Sequence, residues 1–402
     1  MEKGVSVERA IELACKSTMN LGTEIVDLSK LHGRTLAESL NSKVDDPRFD
    51  NSAMDGWAVC SSDFLSEITV LKIVGASKAG GEQPPKIRTG QACQIMTGAP
   101  MPAGADAIVV VENSQVKGDK VTLTGPANKN YIRKKSENLS RGEETLSAGT
   151  RMSAASISLT ATMGFAEVKV VKKPKIAIIS TGDELKPPGT ELLPGEIYES
   201  NSYGISVLID KMGGQAIRFE PVTDSIDSLR AALTAAASEC DAILTSGGVS
   251  MGEWDFVRKL MEEEGDMKFW RVKMRPGGPP LFGEWNGVPI FGLPGNPVSS
   301  HVVFLMIVAP WISFNLGAGA HANALGKYVR ARLQDPIIGA KNKICLRRIK
   351  ITSKNDELIA TTHTHQGSGN IHSLVAHNAL SILPPGIDAG TGENIDAFWW
   401  NE

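Results

Sequence analysis

Between about residue 175 and residue 315, short apolar runs alternate with stretches of helical spacing, and each run closes on a polar or glycine-rich turn. The runs at 175–180, 215–222, 242–246, 269–274 and 288–291 predict strands. Helical spacing at 201–212 and 228–239, after Asp255 and after Pro297 predicts the intervening helices. Strands and helices of these lengths in alternation imply an α/β fold with a doubly wound, mostly parallel sheet. Ligands of such sheets bind at the carboxyl ends of the strands. Thr181-Gly182-Asp183-Glu184, Thr223-Asp224, Gly247-Gly248, Arg275-Pro276-Gly277-Gly278 and Leu293-Pro294-Gly295-Asn296-Pro297 all fall at that end.

The third run continues into Ser246-Gly247-Gly248-Val249-Ser250-Met251-Gly252-Glu253-Trp254-Asp255, which reads as strand, tight turn and helix N-terminus. Glycine lets backbone approach a ligand closely, and the free N–H groups of a helix start favour phosphate or another oxyanion. Taken alone, such a turn serves more often as simple chain reversal, and it matches neither the Walker sequence nor G-x-G-x-x-G.

Outside this region the pattern changes. Residues 7–17 form an amphipathic helix with Ser6 as N-cap, and 154–164 form another, expected to pack with the first around an inserted domain. Short alternating runs at 68–74, 93–96, 107–111 and 120–123, separated by Gly and Pro, predict that insert to be β-rich. Beyond 313–323 the chain is strand-like to its end. The expected division is 1–48 and 134–173 for the discontinuous helical domain, 49–133 for the β insert, 174–320 for the sheet domain and 321–402 for a C-terminal β domain.

Composition narrows the function classes. At 402 residues, 42% hydrophobic and 22% charged, the chain reads as an ordinary soluble multidomain protein. A net charge of −3 argues against a general nucleic-acid or anionic-membrane binder. The most apolar stretch, 302–312, is expected to be broken by Pro310 and too short to span a bilayer. The five cysteines form no C-x-x-C pair and suit a reduced, cytoplasmic chain. The basic run Arg133-Lys134-Lys135 reads as a solvated loop or a phosphate contact. His363, His365, His372 and His377 raise zinc, but no helical H-x-x-x-H or thiolate pair accompanies them. Gly367-Ser368-Gly369 beside them reads as an anion-binding loop or as a plain surface turn.

Six motifs then carry a resemblance over nearly the whole chain. Asn51-Ser52-Ala53-Met54-Asp55-Gly56-Trp57-Ala58-Val59, Met96-Thr97-Gly98-Ala99-Pro100, Ser180-Thr181-Gly182-Asp183-Glu184-Leu185, Ser246-Gly247-Gly248-Val249-Ser250, Gly292-Leu293-Pro294-Gly295-Asn296-Pro297 and His365-Gln366-Gly367-Ser368 occur in the order of the MoeA family. These are molybdopterin molybdenumtransferases related to the gephyrin E domain. The resemblance implies a homodimer of four-domain subunits: a discontinuous helical domain, an inserted β domain, a sheet domain of the MogA/MoaB type and a C-terminal β-barrel. It implies insertion of molybdenum from molybdate into adenylylated molybdopterin with release of AMP, dependent on Mg²⁺ or another divalent cation. An adenylyltransferase upstream and recipient molybdoenzymes downstream would be its partners, with neither nucleic acid nor membrane.

The resemblance also assigns roles. Glu184, Asp224 and Asp255 would hold metal or orient water as catalytic carboxylates, joined by Asp55, which would reach the site across the dimer. Gly247, Gly248 and Ser250 would cradle phosphate. Arg133, Arg271, Arg275, Arg348 and Ser368 would neutralise substrate charge, with Thr97, Pro294 and Pro297 close by. Two positions depart from the family's common pattern: Asn138 where an acid is frequent, and Gly278 where a lysine is frequent. Those losses leave open a paralogue with altered metal preference, different substrate handling or weak activity. Molybdopterin adenylyl transfer, which related single-domain proteins perform with a similar sheet, and a degenerate binding or scaffold role are the alternative readings.

Overall fold

The structure is a computed structural model that describes residues 1–250, 252, 255–319, 324–362 and 365–400. Its centre is a seven-stranded sheet. In chain order the elements are β1 (Glu2–Val5), α1 (Val7–Ala14), β2 (Lys175–Ser180), α2 (Asn201–Lys211), β3 (Gln215–Arg218), α3 (Ile226–Glu239), β4 (Ala242–Ser246), α4 (Phe256–Glu263), β5 (Asp266–Val272), β6 (Leu281–Trp285), β7 (Val288–Leu293) and α5 (Pro297–Asn315). The strands lie in the order β1-β5-β6-β7-β4-β2-β3, and every pair is parallel except the two that β6 makes. Within β2, Ile176 and Ile178 face a core shared with α1, α2 and α5, while Ala177 and Ile179 face one shared with α3 and α4. Burial on both faces is why these strands read as near-continuous apolar runs.

Several expectations are corrected by packing. β6 lies in a segment that begins after Pro279-Pro280 and carries Gly283 at its middle, a poor strand signal. A side chain at 283 would press within 2.5 Å of the Asp266 carbonyl oxygen, so glycine is what lets β6 lie against β5. The second predicted strand, 215–222, stops at Arg218, although the Thr181–Val222 bridge continues the sheet edge. Helix α1, capped by Ser6 accepting from the Arg9 N–H at 3.1 Å, does not pack with the helix at Ala154–Thr162. It lies on the sheet domain, where β1 is the partner of β5 and the Trp311 indole donates to the Ser17 carbonyl at 3.0 Å.

Pro310 does not break the apolar helix. The turns before it widen to π-helix over Phe304–Val308, which accommodates a residue that lacks an N–H and crowds the preceding turn. α5 is therefore long and apolar enough to cross a bilayer by composition alone. Yet 83% of its apolar window is buried inside the protein, which marks it as a core helix. Phe282, Phe291 and Trp311 pack against one another at its contact with the sheet.

The insert is a six-stranded sheet running from Gly56–Val59 to Lys120–Leu123. The discontinuous domain combines the Ala154–Thr162 helix with two short ladders, Thr23–Asp27 with Glu167–Val171 and Leu40–Asn41 with Glu144–Leu146, around a core that includes Leu31, Leu36 and Met163. Strands Gly326–Leu333, Arg348–Lys354, Glu357–Thr362, Ala379–Ile382 and Asn394–Trp400 close a barrel. A parallel pairing of Met274–Arg275 with Ile344–Cys345 joins this barrel to the sheet domain.

Candidate active site

The carboxyl ends of β2, β4 and β7 open onto a cleft with two adjoining lobes of about 620 and 710 Å³, which share Ser250, Pro279 and Asn296. The smaller lobe is lined by Glu184, Glu199, Asp224 and Asp255, and no lysine or arginine among the described residues lines it. The larger is lined by Arg271, Lys273, Arg275, Lys343, Arg347 and Arg348, with no carboxylate among the described residues. Opposite charges are thus sorted into neighbouring compartments.

In the acidic lobe, β2 delivers Glu184 through the turn that follows Ser180, and Asp255 stands at the N-cap of α4, its carboxylate accepting from the Gly252 N–H. Asp224 follows the Thr181–Val222 bridge, and its N–H donates to Asp183 at 3.1 Å. Burial pushes the Asp224 carboxyl above its ordinary range, and the charges of Asp183, Glu184 and Asp255 add to the effect. Among the described residues no three His, Cys, Asp or Glu side chains already converge on a common metal position.

Gly247 and Gly248 have φ of 103° and 66°, where a side chain would be strained, and a Cβ on either would lie 2.9 Å from Thr181 or Val257 atoms respectively. Both line the acidic lobe. Gly247, however, donates its N–H to the Leu293 carbonyl at 3.0 Å, which removes that donor from the expected phosphate cradle. Pro294 and Pro297 line the same lobe, and Ser250 faces both.

The cationic lobe lies between two domains. Arg348 is 1% exposed and has no ion-pair partner among the described residues. Its Nε donates to Ser373 Oγ and its Nη2 to the Gly367 carbonyl, each at 3.0 Å. Burial, with Arg347 beside it, pushes its pKa down to about 10, so it still carries its charge at neutral pH. By holding Gly367 it also places Ser368, whose Oγ accepts from Asn296 Nδ2 at 3.0 Å. Arg271 adopts φ 67°, rare for a residue with a side chain, and stacks its guanidinium 5.0 Å from the Trp270 ring centroid.

Lys273, Lys343, Arg347, Asn296 and Glu199 belong to these lobes but escaped the sequence reading. Asn296 stood within a quoted motif, and Glu199, 4% exposed and held by Ser180 and Ser202, within an unremarkable loop. Asp55, Thr97 and Arg133 line neither lobe. The structure does bring the first two together: Asp55 accepts from the Thr97 N–H at 2.6 Å and hydroxyl at 3.0 Å, and these bonds hold its carboxyl below the ordinary range. Arg133 is exposed on a short strand beside Asn51, and its neighbours Lys134 and Lys135 pair with Asp50 and Asp45. Of the histidine run, His363 and Thr364 lie outside the described residues, and His377 is buried with its Nδ1 against the Ser373 carbonyl.

Comparison with known proteins covers nearly the whole chain. Residues 5–164 match the MoeA N-terminal region (domain I and II), 177–313 a probable molybdopterin binding domain, and 330–399 the MoeA C-terminal region (domain IV). The molybdopterin molybdenumtransferase of a Nostoc species is 35% identical over 375 residues, covering 90% of this chain and 85% of the relative. That of Haemophilus influenzae is 37% identical over 293 residues, covering 72% of each chain. A crystal structure of a molybdopterin biosynthesis MoeA protein from Pyrococcus horikoshii superposes with a TM-score of 0.84 at 29% identity, covering 99% of this chain and all of that one. The chain belongs to the MoeA family.

Proposed function

We propose that this protein is a molybdopterin molybdenumtransferase: it inserts molybdenum from molybdate into adenylylated molybdopterin and releases AMP. The observation that carries the reading is the sorting of charge into two lobes that share Ser250, Pro279 and Asn296. A substrate with a pyrophosphate bond, reacting with a dianionic oxyanion, needs cationic and hydrogen-bonding groups for its anions. It also needs carboxylates near the leaving phosphate.

In this reading Arg271, Arg275, Arg348 and Ser368 hold the oxyanion and substrate phosphate, and Gly248 and Ser250 approach the phosphate at the junction of the lobes. Glu184, Asp224 and Asp255 fit a hard divalent cation such as Mg²⁺: they are oxygen donors in a lobe that no lysine or arginine lines among the described residues, and burial, together with acidic neighbours, already raises the Asp224 carboxyl. Because the three carboxylates do not form a closed ligand set, phosphate oxygens and water would complete the coordination. Such a cation, when bound, draws negative charge off the departing phosphate. Buried Arg348 keeps the 366–368 loop against Asn296, which closes the lobe junction on the barrel side.

Asp55, Thr97 and Arg133 would act from the second subunit of a homodimer, since they line neither lobe of their own chain's cleft. The five unpaired cysteines suit a reducing compartment, and we place the reaction in the cytoplasm. An adenylyltransferase would supply the substrate and molybdoenzymes would take the product.

Incubating the purified protein with adenylylated molybdopterin, molybdate and a series of divalent cations tests the reading. AMP release that requires both the oxyanion and a cation supports it. Formation of the adenylate from ATP and molybdopterin would assign the adenylyltransferase reaction instead, and tight binding of the adenylate without turnover a degenerate binder.

A further inference from the structure

Gly278 lines the cationic lobe in a conformation that does not require glycine. Its φ lies outside the left-handed region, and a Cβ there would meet nothing closer than the Met274 carbonyl at 3.5 Å. Neighbouring Gly277 differs: it sits at φ 91°, and its Cβ would lie 2.8 Å from Val303. The backbone therefore explains the glycine at 277 but not the one at 278. The space beside Gly278 is taken by the ammonium of Lys343, whose Nζ would be 3.6 Å from a Cβ at 278.

Lys343 belongs to the C-terminal segment, yet its position relative to the sheet domain is fixed. Met274 and Arg275 pair in register with Ile344 and Cys345. The Ile344 N–H donates to the Lys273 carbonyl at 2.9 Å and the Leu346 N–H to the Arg275 carbonyl at 2.8 Å. This ladder sets residue 343 beside residue 273 at the lobe wall. Lys343 has no ion-pair partner among the described residues, and no described carboxylate lines the lobe. Six cationic side chains in one compartment repel one another unless an anion is present.

We propose that Lys343 is a direct anion-binding residue of this site, brought in from the barrel side by the interdomain ladder and admitted by the missing side chain at 278. Its ligand is a tetrahedral oxyanion dianion, and this assignment rests on the molybdenumtransferase reading of the lobe. A lysine is suited to the role: it is a flexible point charge that can follow a tetrahedral ion, whereas the planar Arg275 and Arg348 fix its orientation. Binding through Lys343 would also draw the barrel and sheet domains onto one ligand.

Titration of the full-length protein with molybdate alone, followed by calorimetry at low and raised salt, tests this. Lys343→Ala is expected to weaken binding roughly tenfold and to flatten its salt dependence, the loss of one charge-assisted contact in a partly solvated site. Lys343→Arg should retain most of the affinity. In the Lys343→Ala background, Gly278→Lys should restore binding, because it returns a cation to the same volume from the other wall. Wild-type affinity in Lys343→Ala, with molybdate binding lost in Arg275→Ala, would overturn the role of Lys343 and leave the oxyanion lobe standing. Failure of the wild-type protein to bind molybdate at all would overturn both.

Discussion

The two lobes of the cleft are built by different rules. Apart from Gly369 at its barrel edge, the described lining of the acidic lobe comes from one domain: Glu184, Asp224, Asp255 and the Gly247-Gly248 turn all follow strands of the same sheet or open its helix α4. The cationic lobe is a seam, with Arg271, Lys273 and Arg275 on the sheet side and Lys343, Arg347 and Arg348 on the barrel side. A lobe made by a single sheet is as rigid as that sheet. A seam depends on the Met274–Ile344 ladder and the Asn296–Ser368 bond that hold its sides together. Chemistry that needs exact placement of a leaving phosphate is suited to the first, and capture of a mobile oxyanion to the second.

The largest expected effect separates the lobes by what each variant leaves intact. Asp255→Ala should lower AMP release on the order of 10²–10³-fold while molybdate still binds, because the lost carboxylate acts where charge develops on the leaving group. Asp55→Ala should be as damaging if its role lies across a dimer, and sedimentation would show the dimer persisting. Full activity in both variants would break the functional side of the comparison.

Next in size is Arg348→Met. It should weaken molybdate binding about a hundredfold, since a buried charge-assisted contact is lost. Stability should change by only about 1 kcal/mol, because the bonds to Ser373 and Gly367 are lost together with a buried, unpaired charge, and the methionine refills the stem volume. A large drop in urea midpoint would mean that the guanidinium serves mainly to hold the barrel loop.

The same contrast explains what the sequence could show. Strand ends marked by Gly, Pro and acidic residues announce the acidic lobe, because the local pattern and the sheet's ligand edge coincide. Lys343 and Arg347 carry no such mark: Lys341-Asn342-Lys343 reads as a solvated loop, and only the tertiary pairing with 274–275 turns it towards the site. β6 was hidden by its glycine and flanking prolines, and β1 by its distance of more than 260 residues from its partner β5. The Gly-Gly turn was legible as a ligand edge, but the commitment of the Gly247 N–H to Leu293 depends on strand pairing that spacing does not reveal.

A smaller effect lies in pH. Asp224 has a raised carboxyl pKa in the fold, so protons compete with a bound cation at a higher pH than for an ordinary carboxylate of pKa 3.8. Cation affinity should begin to fall on mild acidification, and Asp224→Asn should remove that inflection together with much of the affinity. The linkage to stability has the opposite sign. An acid whose pKa is raised by folding destabilises the fold when ionised, so the cost is present above the folded pKa and disappears below the unfolded one. Asp224→Asn should therefore raise the melting temperature by about a degree or two at neutral pH and leave it unchanged near pH 3.

The smallest expected effect is a control outside both lobes. Asn138 donates its amide to Asp46 Oδ2 at 3.0 Å, and its backbone N–H bonds the Asp46 carbonyl at 2.9 Å. Replacing the amide by a carboxylate sets two negative charges against each other in the same geometry. The pair is exposed, so Asn138→Asp should cost less than about 1 kcal/mol in urea unfolding, and added salt should recover most of it. Neither molybdate affinity nor cation preference should change, because residue 138 lines neither lobe. A shifted cation preference in this variant would show that the 134–138 loop enters the acidic lobe of a second subunit, and the division between a single-domain lobe and a seam would then have to be redrawn.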